Sequence, residues 1–223
     1  MLPVKKRKFY LFLIVYTLLI ILLSSVITTQ YIFKVVLSSN QDALRRIDNK
    51  QVAQITQISP DTIVEMFSYG CGYCEKSEKE LDKFEKMLPA SKKLIRMHVS
   101  NNGGLGRFAP LYATLNVMGL ESKLRVAAFH AVIQERKDLA EPTIRNQWLI
   151  ANGVDVAEYE KTEKSAQVKA LLQLSKQLTE VYGVNGTPEY IVGKRWVTFT
   201  DREWPAMGKQ LMSLLMNDKP LEK

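Results

Sequence analysis

Cysteine and histidine are scarce in this chain. Among 223 residues there are two of each: Cys71 and Cys74, His98 and His130. A disulfide-stapled scaffold is therefore excluded, and a chain of this length buries enough core to fold unaided. Zinc is poorly served, because a structural site takes four ligands and the two histidines fall in a predicted strand and a predicted helix without ligand spacing. A basic stripe interleaved with aromatics is also lacking. The formal net charge is +8, but Lys5, Lys6, Arg7 and Lys8 supply half of it in one cluster, and the rest is scattered among acids, as in "EKSEKELDKFEK". That distribution argues against nucleic acid as a partner. There is no internal repeat and no low-complexity tract.

Charge is missing from one long stretch. After "KKRK" comes "FYLFLIVYTLLIILLSSVITTQYIF", residues 9–33. About 20 apolar residues suffice to cross a bilayer as a helix. A cleaved signal peptide is the alternative, but the run is long and "SSVITTQ" lacks a small-x-small cleavage site. The sequence therefore predicts a basic cytoplasmic N-terminus over 1–8 and an uncleaved signal anchor over 9–33. A juxtamembrane linker follows over 34–51, and everything beyond faces a compartment where disulfides form.

Past the linker, "QVAQITQIS" alternates weakly and reads as a short edge strand. "DTIVEMFS" is a strand bounded by Pro60 and Gly70. The period then changes. Cys74, Ser77, Leu81, Phe84 and Leu88 recur at three- and four-residue steps, marking one face of a helix. "KLIRMHV" is a second strand, and "NNGGLG" a loop. Residues from about 107 to 182 read as helical, with stops at Asn152-Gly153 and Gly183. So long a block is an inserted subdomain rather than a loop. "PEYIVGKRWVTF" is a hairpin turning at Gly193-Lys194. A final helix starts from a capping box at Thr200 and Glu203, with Pro205 in its first turns. This order predicts an α/β, thioredoxin-like fold over 52–102 and 183–223, with a helical subdomain inserted over 103–182.

The cysteine pair thus sits at a strand-to-helix turn. An inert disulfide is one reading, but closing so small a ring removes little chain entropy. Redox exchange is the stronger one. The positive end of a helix favours thiolate at Cys71, and Cys74 stands ready to resolve a mixed disulfide. Glu65 interrupts an apolar strand. It is either an edge residue facing water or a buried acid, which is costly unless paired. Glu78 shares the helix face of Cys74, and Arg96 interrupts the second strand. If the strands are neighbours, the three meet beneath Cys74, where they tune the cysteines and accept or relay a proton. Thr187-Pro188 opens a strand after turn residues. It is either an ordinary trans loop proline or a cis-proline exposing the Thr187 backbone to an extended substrate.

On "EMFSYGCGYCEKSE", "MHVSNNGGLGRFAPLYATLNVMGLESKL", "IRNQWLIANGVDVAEYE" and "YGVNGTPEYIVGKRWV", the chain resembles the DsbA family of periplasmic thiol–disulfide oxidoreductases. The resemblance spans roughly 62–216. It implies a thioredoxin fold with a helical insertion, Cys71 as exposed nucleophile, Cys74 as buried partner and a cis peptide at Thr187-Pro188. It implies a buried charge cluster of Glu65, Glu78 and Arg96. Client proteins bearing thiols or disulfides and a membrane redox partner of the DsbB kind are the implied partners, with no cofactor. The implied location is a bacterial inner membrane, single-pass, with the catalytic domain in the periplasm. The chain departs from the family at two places. Gly72-Tyr73 replaces the Pro-His of the strongly oxidising members, and Thr187 replaces a frequent valine. Both look like the sites of periplasmic disulfide isomerases such as DsbC. Dithiol oxidation is expected. Isomerase or reductase activity, or a non-catalytic tethered chaperone, are the alternatives.

Overall fold

The computed structural model describes residues 4–31, 44–101 and 103–221. Two compact units are present, 1–42 and 43–223. The first contributes one helix, α1 (Val4–Tyr31). Its segment Phe12–Gln30 is long and apolar enough to cross a membrane. Its side chains there are exposed. Residues 32 and 33 of the expected anchor and 34–43 of the expected linker lie outside the described residues.

The second unit is built on a five-stranded sheet: β1 (Leu44–Arg46), β2 (Thr62–Phe67), β3 (Lys93–His98), β4 (Glu189–Val192) and β5 (Trp196–Phe199). The strand order is β1-β5-β4-β2-β3. Among the described residues, β2 and β3 alone run parallel; the other pairings are antiparallel. The β2–β3 crossover is α3 (Gly72–Met87), as a parallel pair requires. Among the described residues, five α-helices lie between β3 and β4: α4 (Ala109–Val117), α5 (Glu121–Phe129), α6 (Pro142–Ala151), α7 (Val156–Glu163) and α8 (Ala166–Val181). The chain closes with α9 (Ala206–Asn217).

Two apolar clusters hold this unit together. One packs Ile63, Leu94, Tyr190 and Val192 of the sheet against Leu81 and Phe84 of α3 and Leu211, Leu214 and Leu215 of α9. The other joins Val64, Met66, Met97 and Ile191 to the inserted helices through Leu111, Tyr112, Leu149, Tyr159 and Leu178. Alternation along the strands sends successive side chains to these two clusters. Because β2 lies inside the sheet, between β4 and β3, all six of its residues are buried. Glu65 is therefore not an edge residue facing water.

Local stops behave as their residues demand. Gly153 follows α6 at φ +73°, and Gly183 follows α8 at φ +57°, conformations that glycine adopts without penalty. The hairpin turns at Gly193 and Lys194, both in the left-handed region, with Arg195 as a third loop residue.

Three expectations are corrected. The stretch 51–59 is not an edge strand; its start belongs to α2 (Asn49–Ala53), nucleated by the Asp48 side chain accepting from the Lys50 N–H. The edge is taken by β1, paired with β5, so the sheet begins inside the span assigned to the linker. At the other end, Thr200 and Glu203 form no capping box. The residue before a proline is disfavoured in helical conformation. Trp204 accordingly stays outside α9, which begins at Ala206, and the Trp204-Pro205 bond is cis.

Candidate active site

The turn between β2 and α3 is held by its own side chains. The Cys71 N–H donates to the Ser68 carbonyl at 2.9 Å, and the Gly70 N–H to the Ser68 hydroxyl at 3.2 Å. That hydroxyl in turn donates to the Leu105 carbonyl of the insertion at 2.7 Å. One residue on, the Tyr69 N–H donates to Nε2 of buried His98 at 3.1 Å. Tyr69 also donates its hydroxyl to Glu121 at 3.0 Å. The chain entering the cysteine pair is thus fastened to β3 and to the insertion.

Cys71 is the N-cap of α3, and its sulfur accepts the Cys74 N–H at 3.1 Å. A helix start leaves such N–H groups without partners, so a sulfur placed there meets both a donor and the positive dipole end. The Cys71 thiol also donates to the Thr187 carbonyl at 3.1 Å. The Thr187-Pro188 bond is cis. Both cysteines are free thiols. Their environments diverge sharply. Hydrogen bonding from the Cys74 thiol, then from the Thr187 side chain and from the Cys74 and Tyr73 N–H groups, outweighs burial and lowers the Cys71 pKa to about 6. Burial pushes the Cys74 thiol far upward, reinforced by its bond to Cys71 and by the Glu65 charge. Between them, Gly72 has open space around it. Tyr73 is 75 % exposed, with the Lys76 ammonium 5.9 Å from its ring centre.

Glu65, Glu78 and Arg96 do come together. Arg96 faces Glu65 directly across the β2–β3 pairing. Its Nε lies 3.5 Å from Glu78 and 3.8 Å from Glu65. Its two other nitrogens are committed elsewhere, to Asp82 at 2.6 Å and Glu85 at 2.8 Å. A separation of 3.8 Å is not a hydrogen bond, and neither Glu65 oxygen has a hydrogen-bond partner. Burial therefore dominates, Glu78 adds repulsion, and the Glu65 pKa rises to about 8 despite Arg96 and Arg125. Burial likewise raises Glu78. Four acids, Glu78, Asp82, Glu85 and Glu121, line a cleft of about 420 Å³ around Arg96 and Arg125.

Sequence reasoning missed Arg125, which pairs with Glu121 at 2.6 Å and Glu78 at 3.3 Å. The Glu121–Arg125 spacing is that of a helical ion pair, but nothing in it points to Glu78. It also missed Tyr190, the cross-strand neighbour of Glu65 on the side away from Arg96, whose buried hydroxyl lacks a partner. Among the described residues, no group of three or more His, Cys, Asp or Glu is placed to hold a metal. His98 is neutral in its apolar surroundings, its pKa lowered by burial to about 4.

A thioredoxin fold with a helical insertion, a CxxC pair capping a helix and a cis-proline against the first sulfur define a class, the thiol:disulfide oxidoreductases. The family follows from comparison. A model described as a DSBA-like thioredoxin domain matches residues 90–212, and the chain belongs to that family. The match takes in the insertion, the cis-proline loop, β4, β5 and most of α9; the cysteine pair lies before it. The thiol:disulfide interchange protein DsbA of Pseudomonas aeruginosa is 29 % identical over 142 residues, 64 % of this chain and 67 % of that protein. The protein of the same name from Dickeya dadantii is 27 % identical over 172 residues, covering 74 % and 83 %. The solved P. aeruginosa DsbA superposes with a TM-score of 0.63 at 26 % identity, over 70 % of this chain and 83 % of that one. The chain is a DsbA-like thiol:disulfide oxidoreductase.

Glu65 gives the site a pH signature. An acid whose folded pKa is raised keeps its proton in the folded state and loses it in the unfolded chain. The stability this confers is complete below the unfolded pKa of about 4.5 and disappears as pH climbs through about 8. Glu65→Gln should therefore gain on the wild type as pH rises over that window, by up to about 1.4 kcal/mol per pH unit. Differencing the two proteins cancels the titrations of Cys71 and His98, which both share. Urea midpoints across the window measure the gap; a gap that stays constant means Glu65 titrates like an exposed acid.

Proposed function

We propose that the chain is a membrane-anchored oxidant of client dithiols, working through Cys71 and Cys74. The observation that carries this reading is the Cys71 sulfur at the start of α3, within 3.1 Å of both the Cys74 N–H and the Thr187 carbonyl. The N–H at the helix start favours the thiolate and makes Cys71 a good leaving group, while the Thr187 carbonyl accepts from the thiol form. In the oxidised protein, a client thiolate attacks the Cys71 sulfur. The S–S bond breaks, and Cys74 departs as a thiolate. Its pKa is pushed up by burial, so it takes a proton at once, and Glu65, protonated up to about pH 8, stands as the donor. A second client thiolate then attacks the client sulfur of the mixed disulfide and expels Cys71 as thiolate. The client gains one disulfide, and the cysteine pair gains two electrons. A membrane redox partner of the DsbB kind returns it to the disulfide.

The cis-proline loop is the client's docking edge. An extended client segment adds to the half-buried backbone at Thr187, as a strand adds to a sheet edge, which brings its sulfur in line with Cys71.

Cys71→Ser should abolish exchange, whereas Cys74→Ser should accumulate clients bound through Cys71, because the resolving thiol is gone. Gel shifts under non-reducing conditions read this directly. Clients trapped on Cys74 in the Cys71→Ser protein would reverse the two roles, and full activity without Cys71 would favour a non-catalytic chaperone.

The second reading is isomerase or reductase, favoured by Gly72-Tyr73. A tyrosine carries no imidazolium charge near neutral pH. Cys71 at about 6 is correspondingly less acidic than the DsbA cysteine at about 3.5. A less stabilised thiolate means a less oxidising pair, by about 30 mV per tenfold change in the exchange constant. Tyr73→His should lower the Cys71 pKa and make the pair more oxidising. Thiolate absorbance against pH and a glutathione titration test both. A wild-type protein that equals DsbA in the two quantities contradicts this view of the dipeptide.

The location proposed is a bacterial inner membrane, with the domain from about residue 44 onward in the periplasm. Support comes from the uncharged helix behind a basic cluster. The protein should sediment with membranes and retain its N-terminal residues; a soluble mature form beginning near Gln30 would exclude the anchor.

A further inference from the structure

We propose that Glu189, clasped by Arg45, is a positioning residue for disulfide exchange: it folds the 185–187 turn so that Thr187 meets Cys71. Glu189 follows the cis-proline and opens β4. It is 3 % exposed, and a buried carboxylate is costly unless its lone pairs are used. Here they are. Oε1 accepts the Asn185 N–H at 2.9 Å and the Gly186 N–H at 3.0 Å. Oε2 pairs with Arg45 Nη2 at 3.0 Å. The same nitrogen donates to the Gly183 carbonyl at 3.2 Å.

One carboxylate and one guanidinium therefore tie four pieces together: Gly183, which follows α8, the turn, the start of β4 and the edge strand β1. Two successive N–H groups pointing at one oxygen make the turn a small anion-binding concavity, but its anion is supplied by the chain itself. The next residue after those two donors is Thr187, whose carbonyl lies 3.1 Å from the Cys71 sulfur. The polar partners of Glu189 are Arg45, Asn185 and Gly186, not the cysteines. It acts through the turn.

Without the carboxylate, two N–H groups and a guanidinium lose their acceptor. The turn then relaxes to satisfy them from water, and Thr187 drifts from the place where it faces both Cys71 and the docking edge. A merely architectural ion pair would affect stability and leave Cys71 and client affinity alone. Positioning changes both. This inference rests on the exchange chemistry proposed above.

The test uses the full chain in detergent micelles, with a dithiol peptide as client and glutathione disulfide as terminal oxidant. Circular dichroism establishes folding. Glu189→Ala should raise the client KM about tenfold, the cost of one or two lost hydrogen bonds, with kcat changed less than about twofold. It should also shift the Cys71 titration, because both the carbonyl and the side chain of Thr187 act on that thiol, read by thiolate absorbance. Glu189→Gln keeps an oxygen for the two N–H groups and loses only the charge facing Arg45, so its KM should rise about threefold. Should the alanine variant fail to fold, the glutamine variant decides. A folded variant with wild-type KM and wild-type Cys71 titration overturns the proposal, as does a loss confined to kcat. A wild-type protein that catalyses no exchange, or does so equally well as Cys71→Ser, strikes the exchange reading instead.

Discussion

A sulfur occupies the position where a helix needs an acceptor. That single constraint organises the site. The first N–H groups of α3 have no partner within the helix, and Cys71, as N-cap, supplies one. The arrangement serves both sides. The helix gains a cap, and the sulfur gains donors that favour its anion. Cys74, one turn later on the buried face, receives none of this benefit and is pushed the other way by desolvation. Two chemically identical thiols three residues apart are thereby given opposite characters, which is what stepwise exchange requires.

Behind the pair, charge is left out of balance. Arg96 and Arg125 face five acids, Glu65, Glu78, Asp82, Glu85 and Glu121; the shortest contacts of Arg96 go to Asp82 and Glu85, nearer solvent, and that of Arg125 to Glu121. Glu65, the most deeply buried, receives the weakest share and stays protonated at neutral pH. A closer Arg96–Glu65 bond would make the acid an ordinary carboxylate and remove the proton held near Cys74. The stability lost by leaving Glu65 underpaired is modest beside what the surrounding core contributes.

The insertion belongs to the site as much as the sheet does. Leu105 anchors Ser68, Glu121 anchors Tyr69, and Arg125 joins Glu78. The turn before Cys71 is therefore positioned from the insertion and from β3. A thioredoxin-like sheet lacking the insertion would have the cysteines but not these supports, so the two parts of the fold act as one body at the point where chemistry is proposed.

What was legible in the sequence was local. The change from strand period to helix period at Gly70, the CxxC spacing, the helix stops at Gly153 and Gly183 and the inserted helical block all follow from propensities that act within a few residues. Where local signals were weak or conflicting, tertiary pairing decided: β1 took the sheet edge that "QVAQITQIS" suggested for itself, and Pro205 overrode a plausible cap at Thr200. The meeting of Glu65, Glu78 and Arg96 was conditional on β2 and β3 being neighbours, a fact of sheet order. The approach of Arg125 to Glu78 and of Tyr190 to Glu65 was beyond reach, because each joins residues distant in sequence that no periodicity links. A residue's type and spacing determine which chemistry it can perform, since those act through bonds and nearest neighbours. Its pKa depends on burial and on charges brought in from other elements, so the opposite acidities of Cys71 and Cys74 and the protonation of Glu65 were decided only when the chain was packed.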